Sequence, residues 1–279
     1  MAIVAVFLFL GAPAPAPPDE RPLPDIPSLL RDVAKNQNAI EEIRKLYTCH
    51  LWEEEDKTDS DGRVTSRSAK DYDVFYIGDE EVRRLLGKDG KPLDAEQRKR
   101  EDDRFNKRFD ELKKKQAALA ADPKKQAKKE EEDEAQISDF LRAELFSNPR
   151  RATFHGQDVI VFDFAGNPNY KPRKTIDRLV QKLGGVMWVD DEAREIARLE
   201  AHFAESAHLG GGVLASIEKG SNFVFEQQRL NEEIWLPAYA EVHVAGRIFV
   251  VKLKQNFVDR YSDYKKFRVG ATVSPAGPN

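Results

Sequence analysis

The chain has 279 residues, a formal charge of −4, 34% charged residues and a single cysteine, Cys49. A mildly acidic balance argues against a nucleic-acid partner, which calls for a basic face, and one cysteine excludes an intrachain disulfide or a CxxC site. The five histidines, His50, His155, His202, His208 and His243, fall in no metal-ligand spacing. With no nucleophile elbow or dinucleotide fingerprint either, the sequence predicts no enzyme, no metal and no cofactor.

Residues 2–10 are a nine-residue apolar run, the length of a signal-peptide core and too short to span a bilayer. Ala12, Ala14 and Ala16 follow at the alternate spacing that a signal peptidase reads, so the chain is expected to be exported to the periplasm, with the run removed or kept as an N-terminal anchor. Residues 13–27 hold seven of the fifteen prolines and predict an extended tether. The organisation is therefore a leader and tether over 1–27 and one folded domain over 28–279.

Ser28 caps a predicted helix over 28–46 whose stripe is Leu29, Leu30, Val33, Ile40, Ile43 and Leu46. Two strands, 47–55 and 63–77, flank the turn Asp59-Ser60-Asp61-Gly62. Cys49 reads as a small packing residue. From 94 to 146 the sequence is helical and crowded with charge, with a break at Asp122-Pro123. Its first arm carries only the thin seam Phe105, Phe109, Leu112 and Leu119, and is expected to be dispensable for folding. Its second arm is denser, with Ile137, Phe140, Leu141, Leu145 and Phe146. An inserted helical hairpin at about 94–147 follows from this, with Phe140, Leu141 and Leu145 as candidates for a lid docking across the mouth of the sheet.

Residues 151–164 predict a hairpin around His155-Gly156-Gln157, and its second strand, 159–164, is apolar on both faces and so must be covered on both. Asp190-Asp191-Glu192 reads as a tight turn. From 185 to 269, segments alternate with a period of two, as in Ala197, Leu199, Ala201 and Phe203 against Arg198, Glu200 and His202. Such alternation with short connections means an antiparallel sheet wet on one face. Parity places Phe162, Phe164, Leu199, Phe203, Val242, Val251 and Leu253 on the dry face, bordering a cavity or the first helix. The fold class is α+β: a single curved antiparallel sheet, a half-open barrel of about ten strands, with the N-terminal helix on its concave face.

Two stretches resemble the bacterial outer-membrane lipoprotein carrier superfamily, the LolA/LolB-like fold. One is Gly185-Val186-Met187-Trp188-Val189-Asp190 with Arg194-Glu195-Ile196-Ala197-Arg198-Leu199-Glu200 after it. The other is Glu233-Ile234-Trp235-Leu236-Pro237, leading into Tyr261-Ser262-Asp263-Tyr264-Lys265-Lys266-Phe267. The resemblance implies an incomplete barrel with an apolar concave face, and a periplasmic carrier or binding protein for an acylated lipid or lipoprotein that touches the membrane peripherally or transiently. Geometry points the same way. A nine-residue strand spans roughly 30 Å, and a half-barrel of such strands is too wide for one helix to fill. The alternative is a regulatory or scaffold protein that grips an envelope protein through its charged hairpin.

Overall fold

The computed structural model describes residues 21–266 apart from 60, 78–79, 123, 125–139, 173–174, 210–214, 232–233 and 250. Helix α1 (Ile26–Arg44) leads into strands β1 (Tyr47–Thr58), β2 (Val64–Ile77), β3 (Glu80–Lys88) and β4 (Lys91–Pro92). After helix α2 (Ala95–Ala120) come β5 (Glu144–Phe154), β6 (Gln157–Gly166) and the short helix α3 (Thr175–Val180). The remainder is β7 (Leu183–Asp190), β8 (Ile196–Phe203), β9 (Ala207–Leu209), β10 (Ala215–Ile217), β11 (Asn222–Leu230), β12 (Ile234–Ile248) and β13 (Val251–Lys266). The expected export leader lies outside the described residues.

The thirteen strands among the described residues belong to one sheet, in the order β4-β3-β2-β1-β13-β12-β11-β8-β7-β6-β5, with β10 attached to β12 and β9 to β10. Every pairing is antiparallel, and the end strands do not meet, so the sheet is open. Thirteen strands exceed the ten or so expected, largely because of short β4, β9 and β10 and of β3. Local chemistry sets the turns. Asp59 Oδ1 accepts the N–H groups of Asp61 and Arg63, each at 2.9 Å, while Gly62 supplies φ +83°. His155 and Gly156 turn β5 into β6 with φ values of +49° and +80°, the left-handed pair of a two-residue hairpin.

Helix α1 lies on the concave face, where Leu29 and Val33 pack on Ile160, Phe162, Phe164, Met187 and Val189. The other face of β6 is also covered, as its two-sided apolar sequence requires: Val159 and Val161 pack with Ala197 and Trp235. Trp235 arrives there because β11 and β12 change register between Glu226 and Gln227. Its indole Nε1 donates to Asp190 Oδ2 at 2.9 Å, and the Gln227 amide donates to the Ile196 carbonyl. Asp190 Oδ1 meanwhile accepts the N–H groups of Glu192 and Ala193, both at 2.8 Å, so the acidic triplet forms the tight turn the sequence predicts.

Helix α2 overturns one expectation. Its thin seam is enough to build a core of its own, in which Phe105 and Leu112, 6% and 1% exposed, pack on Phe75, Ile77 and Val82. The missing link was β3, whose sequence Glu-Glu-Val-Arg-Arg-Leu-Leu-Gly-Lys shows little alternation. Beyond it lies only β4, two residues long, so most of β3's outer edge needs another cover. Glu101, on α2, accepts the Leu85 N–H at 2.9 Å, and Arg104 donates to the Arg83 carbonyl at 3.2 Å while gripping Glu101 with two hydrogen bonds. A helix thereby satisfies strand groups that a neighbouring strand would otherwise take. An Asp94–Gln97 capping box starts this helix. The second arm is also redrawn: residues 140–143 are helical, but Leu145 and Phe146 belong to β5, and Ile137 lies outside the described residues.

A two-toned trough on the concave face

Antiparallel partners point to the same face of a sheet, so the ladder defines rows that run across the strands. One row reads Phe146–Phe164–Gly185–Ala201–Phe223–Val242–Phe257–Glu55–Ser68 from β5 to β2. Its neighbour reads Phe162–Met187–Leu199–Phe225–Ala240–Asp259–Glu53–Lys70. The first row stays apolar as far as Phe257 on β13 and turns charged at Glu55 on β1, whereas the second is apolar from β6 to β12 and charged from Asp259 on β13 onward. The concave face therefore has two tones.

Helix α1 fills the first part. Phe162 and Phe164, proposed from sequence to line a cavity, are 0% and 4% exposed beneath Leu29 and Val33, so they meet the first helix. Leu199 and Phe203 are half-buried at the margin of the same cluster, where Phe223 also packs. Farther along, Ile40 rests on Tyr47, Ile234 and Leu236, and Arg44 lies over the Tyr76 ring at 5.9 Å from its centroid. The helix thus crosses toward the end of the face marked by Ile234 and Leu236. The opposite end is left as a trough floored by Phe225, Val242, Val244 and Phe257, all half-buried.

Charged residues form the far wall. Lys70 Nζ donates to Glu53 Oε1 at 3.2 Å, Arg83 Nη1 to Glu53 Oε2 at 3.0 Å, and Arg83 Nε to Glu81 Oε1 at 2.7 Å. Gln255 donates to Glu55 Oε1 at 2.7 Å, and the Tyr261 hydroxyl reaches Asp259 at 3.5 Å. Burial raises the Asp259 carboxyl above its ordinary value, against the pull of Arg83. At Lys70 burial is the largest effect and opposes the charge, but the hydrogen bond to Glu53 together with the fields of Tyr72, Glu53 and Glu55 outweighs it and the pKa rises. The wall is a paired, partly dehydrated set of both signs, suited to a polar head group bearing donors and acceptors.

The remaining candidates are scattered. Val242 is in the trough and Leu253 is half-buried near the start of β13, but Val251 is 62% exposed at the β12–β13 turn. Among the lid candidates, Phe140 meets the Phe164 ring edge-on at 6.2 Å and Leu141 is half-buried, whereas Leu145 is 50% exposed and does not dock. Sequence reasoning missed Phe223 and Phe225, although their alternation in Asn-Phe-Val-Phe-Glu carried the signal. It could not find Glu53, Lys70, Arg83 and Asp259, because a charge on a strand reads as solvated unless the fold wraps it inward. On the wet face His243 pairs with Asn256 and Glu241 at 2.9 and 2.8 Å, an ordinary polar strand residue. Burial pushes the Cys49 thiol up to about 11, as suits a packing residue.

No family model matches the chain, and no curated protein matches it. Among solved structures it is similar to a LolA superfamily protein from Nitrosomonas europaea, at 11% identity over 86% of this chain and 94% of that one, with a TM-score of 0.34. It is similar also to a putative outer membrane lipoprotein-sorting protein domain from Vibrio parahaemolyticus, at 10% identity over 87% and 93%, with a TM-score of 0.35. A DUF1329 family protein from Desulfovibrio piger matches at 9% identity over 88% and 94%, with a TM-score of 0.30. At such scores these likenesses carry no functional weight. The architecture, an open antiparallel sheet holding its first helix on the concave face, is the fold class that the sequence predicts.

Proposed function

We propose that this protein is a periplasmic carrier or binding protein for an acylated amphiphile, a lipid or a lipoprotein, seated in the concave trough. The observation that carries this reading is the change of tone along two adjacent rows of one face. Phe223, Phe225, Val242 and Phe257 offer an apolar floor, and Glu53, Lys70, Arg83 and Asp259 stand where that floor ends. An acyl chain on the floor would gain about 0.8 kcal/mol per buried CH₂, so about eight methylenes supply roughly 6 kcal/mol with no chemistry at all. The polar head would exchange hydrogen bonds with a wall that is already partly dehydrated, which favours one orientation of the ligand.

Native mass spectrometry of the full-length chain, purified from the periplasm of its expression host, tests the reading together with displacement of a fluorescent fatty acid. A co-purifying lipid is expected, and Val242→Arg should lower fatty-acid affinity at least tenfold while leaving the melting temperature within a few degrees. A lipid-free protein that binds no fatty acid, or a Val242→Arg variant that binds it as well as the parent, would overturn the assignment. A protein partner recovered without lipid would favour the regulatory alternative.

A further inference from the structure

The β12–β13 hairpin ends in the sequence Arg247-Ile248-Phe249-Val250-Val251-Lys252, where a soluble turn would carry polar residues. Ile248, Phe249 and Val251 are 51%, 58% and 62% exposed. These are the three most exposed large apolar side chains among the described residues. Ile248 pairs with Val251, so the chain reverses through only two residues, and Phe249 takes φ +50° to do it. Such two-residue turns select Asn-Gly, because both central positions favour φ above zero. A phenylalanine held there is strained by its own backbone, and it stays 58% exposed. Apolar bulk is thus displayed at a conformational cost.

The hairpin is also two-faced. Gly246, Ile248, Val251 and Leu253 share the face that continues inward to Val244, Val242 and Phe257, so one apolar track runs from the trough floor to the exposed tip. Arg247 and Lys252 pair on the opposite face, Lys254 follows on it, and all three are exposed. At about 3.4 Å per residue they lie roughly 3–10 Å behind the tip. Apolar side chains at an extremity, with cations set back by that distance, match the 5–10 Å depth of the interfacial layer of a bilayer with its anionic head groups outside. The chain as a whole carries −4, so this basic collar is a local reversal of sign.

We propose that the β12–β13 tip is a membrane-docking finger, which inserts Ile248, Phe249 and Val251 into the interface of an anionic phospholipid bilayer and so sets the open end of the trough against the lipid surface. Its role in ligand exchange rests on the carrier reading above, but membrane docking itself does not, and the two fail separately. The test is co-sedimentation of the full chain with vesicles of neutral phosphatidylcholine, with and without about a third of anionic phosphatidylglycerol. Binding to the anionic vesicles is expected to fall with salt.

The double change Phe249→Asn and Val250→Gly supplies the residues this turn prefers. It should fold at least as well as the parent, judged by melting temperature, and lose vesicle binding at least tenfold. Lys252→Glu with Lys254→Glu should abolish the preference for anionic vesicles. The neighbouring β1–β2 turn lies close enough that a side chain at Gly62 would meet Lys254 Nζ at 3.6 Å, so Asp61→Lys should strengthen binding. Failure of the parent to bind vesicles, or undiminished binding by the Asn-Gly variant, would overturn the proposal. So would a dimer in solution that the Asn-Gly change dissolves, since the tip would then be a contact between copies. Soluble fatty-acid binding, measured without vesicles, should be unchanged in the tip variants, and its loss in Val242→Arg alone bears on the trough.

Discussion

Glu144 stands at the first position of β5, 4% exposed, with neither carboxylate oxygen hydrogen-bonded. Burial pushes its pKa from 4.5 up to about 8. Glu195, 7% exposed, is raised to about 7, chiefly by burial, with the Trp235 N–H pulling the other way. Both groups hold protons in the folded state that the unfolded chain has already released, so folding stability falls as pH rises from about 4.5. The decline due to Glu195 is complete near pH 7 and that due to Glu144 near pH 8, after which neither contributes further slope. Glu144→Gln should therefore match the parent near pH 5 and exceed it by about 2–4 kcal/mol at pH 8.5 in urea unfolding. A stability difference that does not change with pH would show that Glu144 keeps a water-like environment in solution.

Two substitutions on α2 distinguish a docked element from a solvated arm. Leu112 is 1% exposed against Phe75, Ile77 and Val82, so Leu112→Ala should cost about 2–4 kcal/mol in chemical unfolding, the ordinary penalty for emptying a core site. Glu101→Ala removes the acceptor for the Leu85 N–H at the edge of β3 and the partner of Arg104, and should cost about 1–3 kcal/mol. Hydrogen exchange at Leu85 should accelerate in that variant, while the amides of β6 and β7 keep their protection. If Leu112→Ala is silent, α2 does not dock in solution, and the sequence expectation of a dispensable arm is restored. Surface pairs on the same helix, such as Arg100 with Glu96 at 3.4 Å, are exposed and should contribute little.

At the scale of the molecule, α1 and the trough divide one concave face between them. Leu29 and Val33 seal the β6–β7 part, and the part floored by Phe225, Val242 and Phe257 stays open. This division predicts that the helix is core and does not swing away as a gate. Leu29→Ala with Val33→Ala should lower stability by about 3–6 kcal/mol and raise binding of an apolar dye, since the floor beneath α1 becomes accessible. Truncating the trough floor with Phe257→Ala should do little to stability and instead weaken fatty-acid displacement. A Leu29→Ala, Val33→Ala protein that is as stable as the parent would mean that α1 is only loosely held, and that the whole concave face is available to ligand.

Period-two alternation in residues 196–204, 238–244 and 249–257 was sufficient to read an antiparallel sheet with one dry face, because parity is a local property of strand backbone. The two-sided apolar run of β6 likewise announced two covering layers, and the stripe from Leu29 announced the helix that supplies one of them, although that helix begins at Ile26 and it is Asp25, not Ser28, that accepts a first-turn N–H, from Ser28 at 3.1 Å. Local sequence could not say that β3 exists, since its alternation is masked by charges whose partners, Glu53 and Asp102, lie on β1 and α2. Nor could it assign Val251 to an exposed tip, because the sequence begins a strand at Phe249, whereas the chain turns at that residue and β13 starts at Val251. The charged wall of the trough has the same origin. Glu53, Lys70 and Asp259 are far apart in sequence and ordinary on their own strands, and only the pairing of β1 with β2 and β13 brings them to one row. Strand parity and turn chemistry belong to the sequence, whereas which strand lies beside which, and therefore what the concave face presents to a ligand, is decided by long-range pairing in the folded sheet.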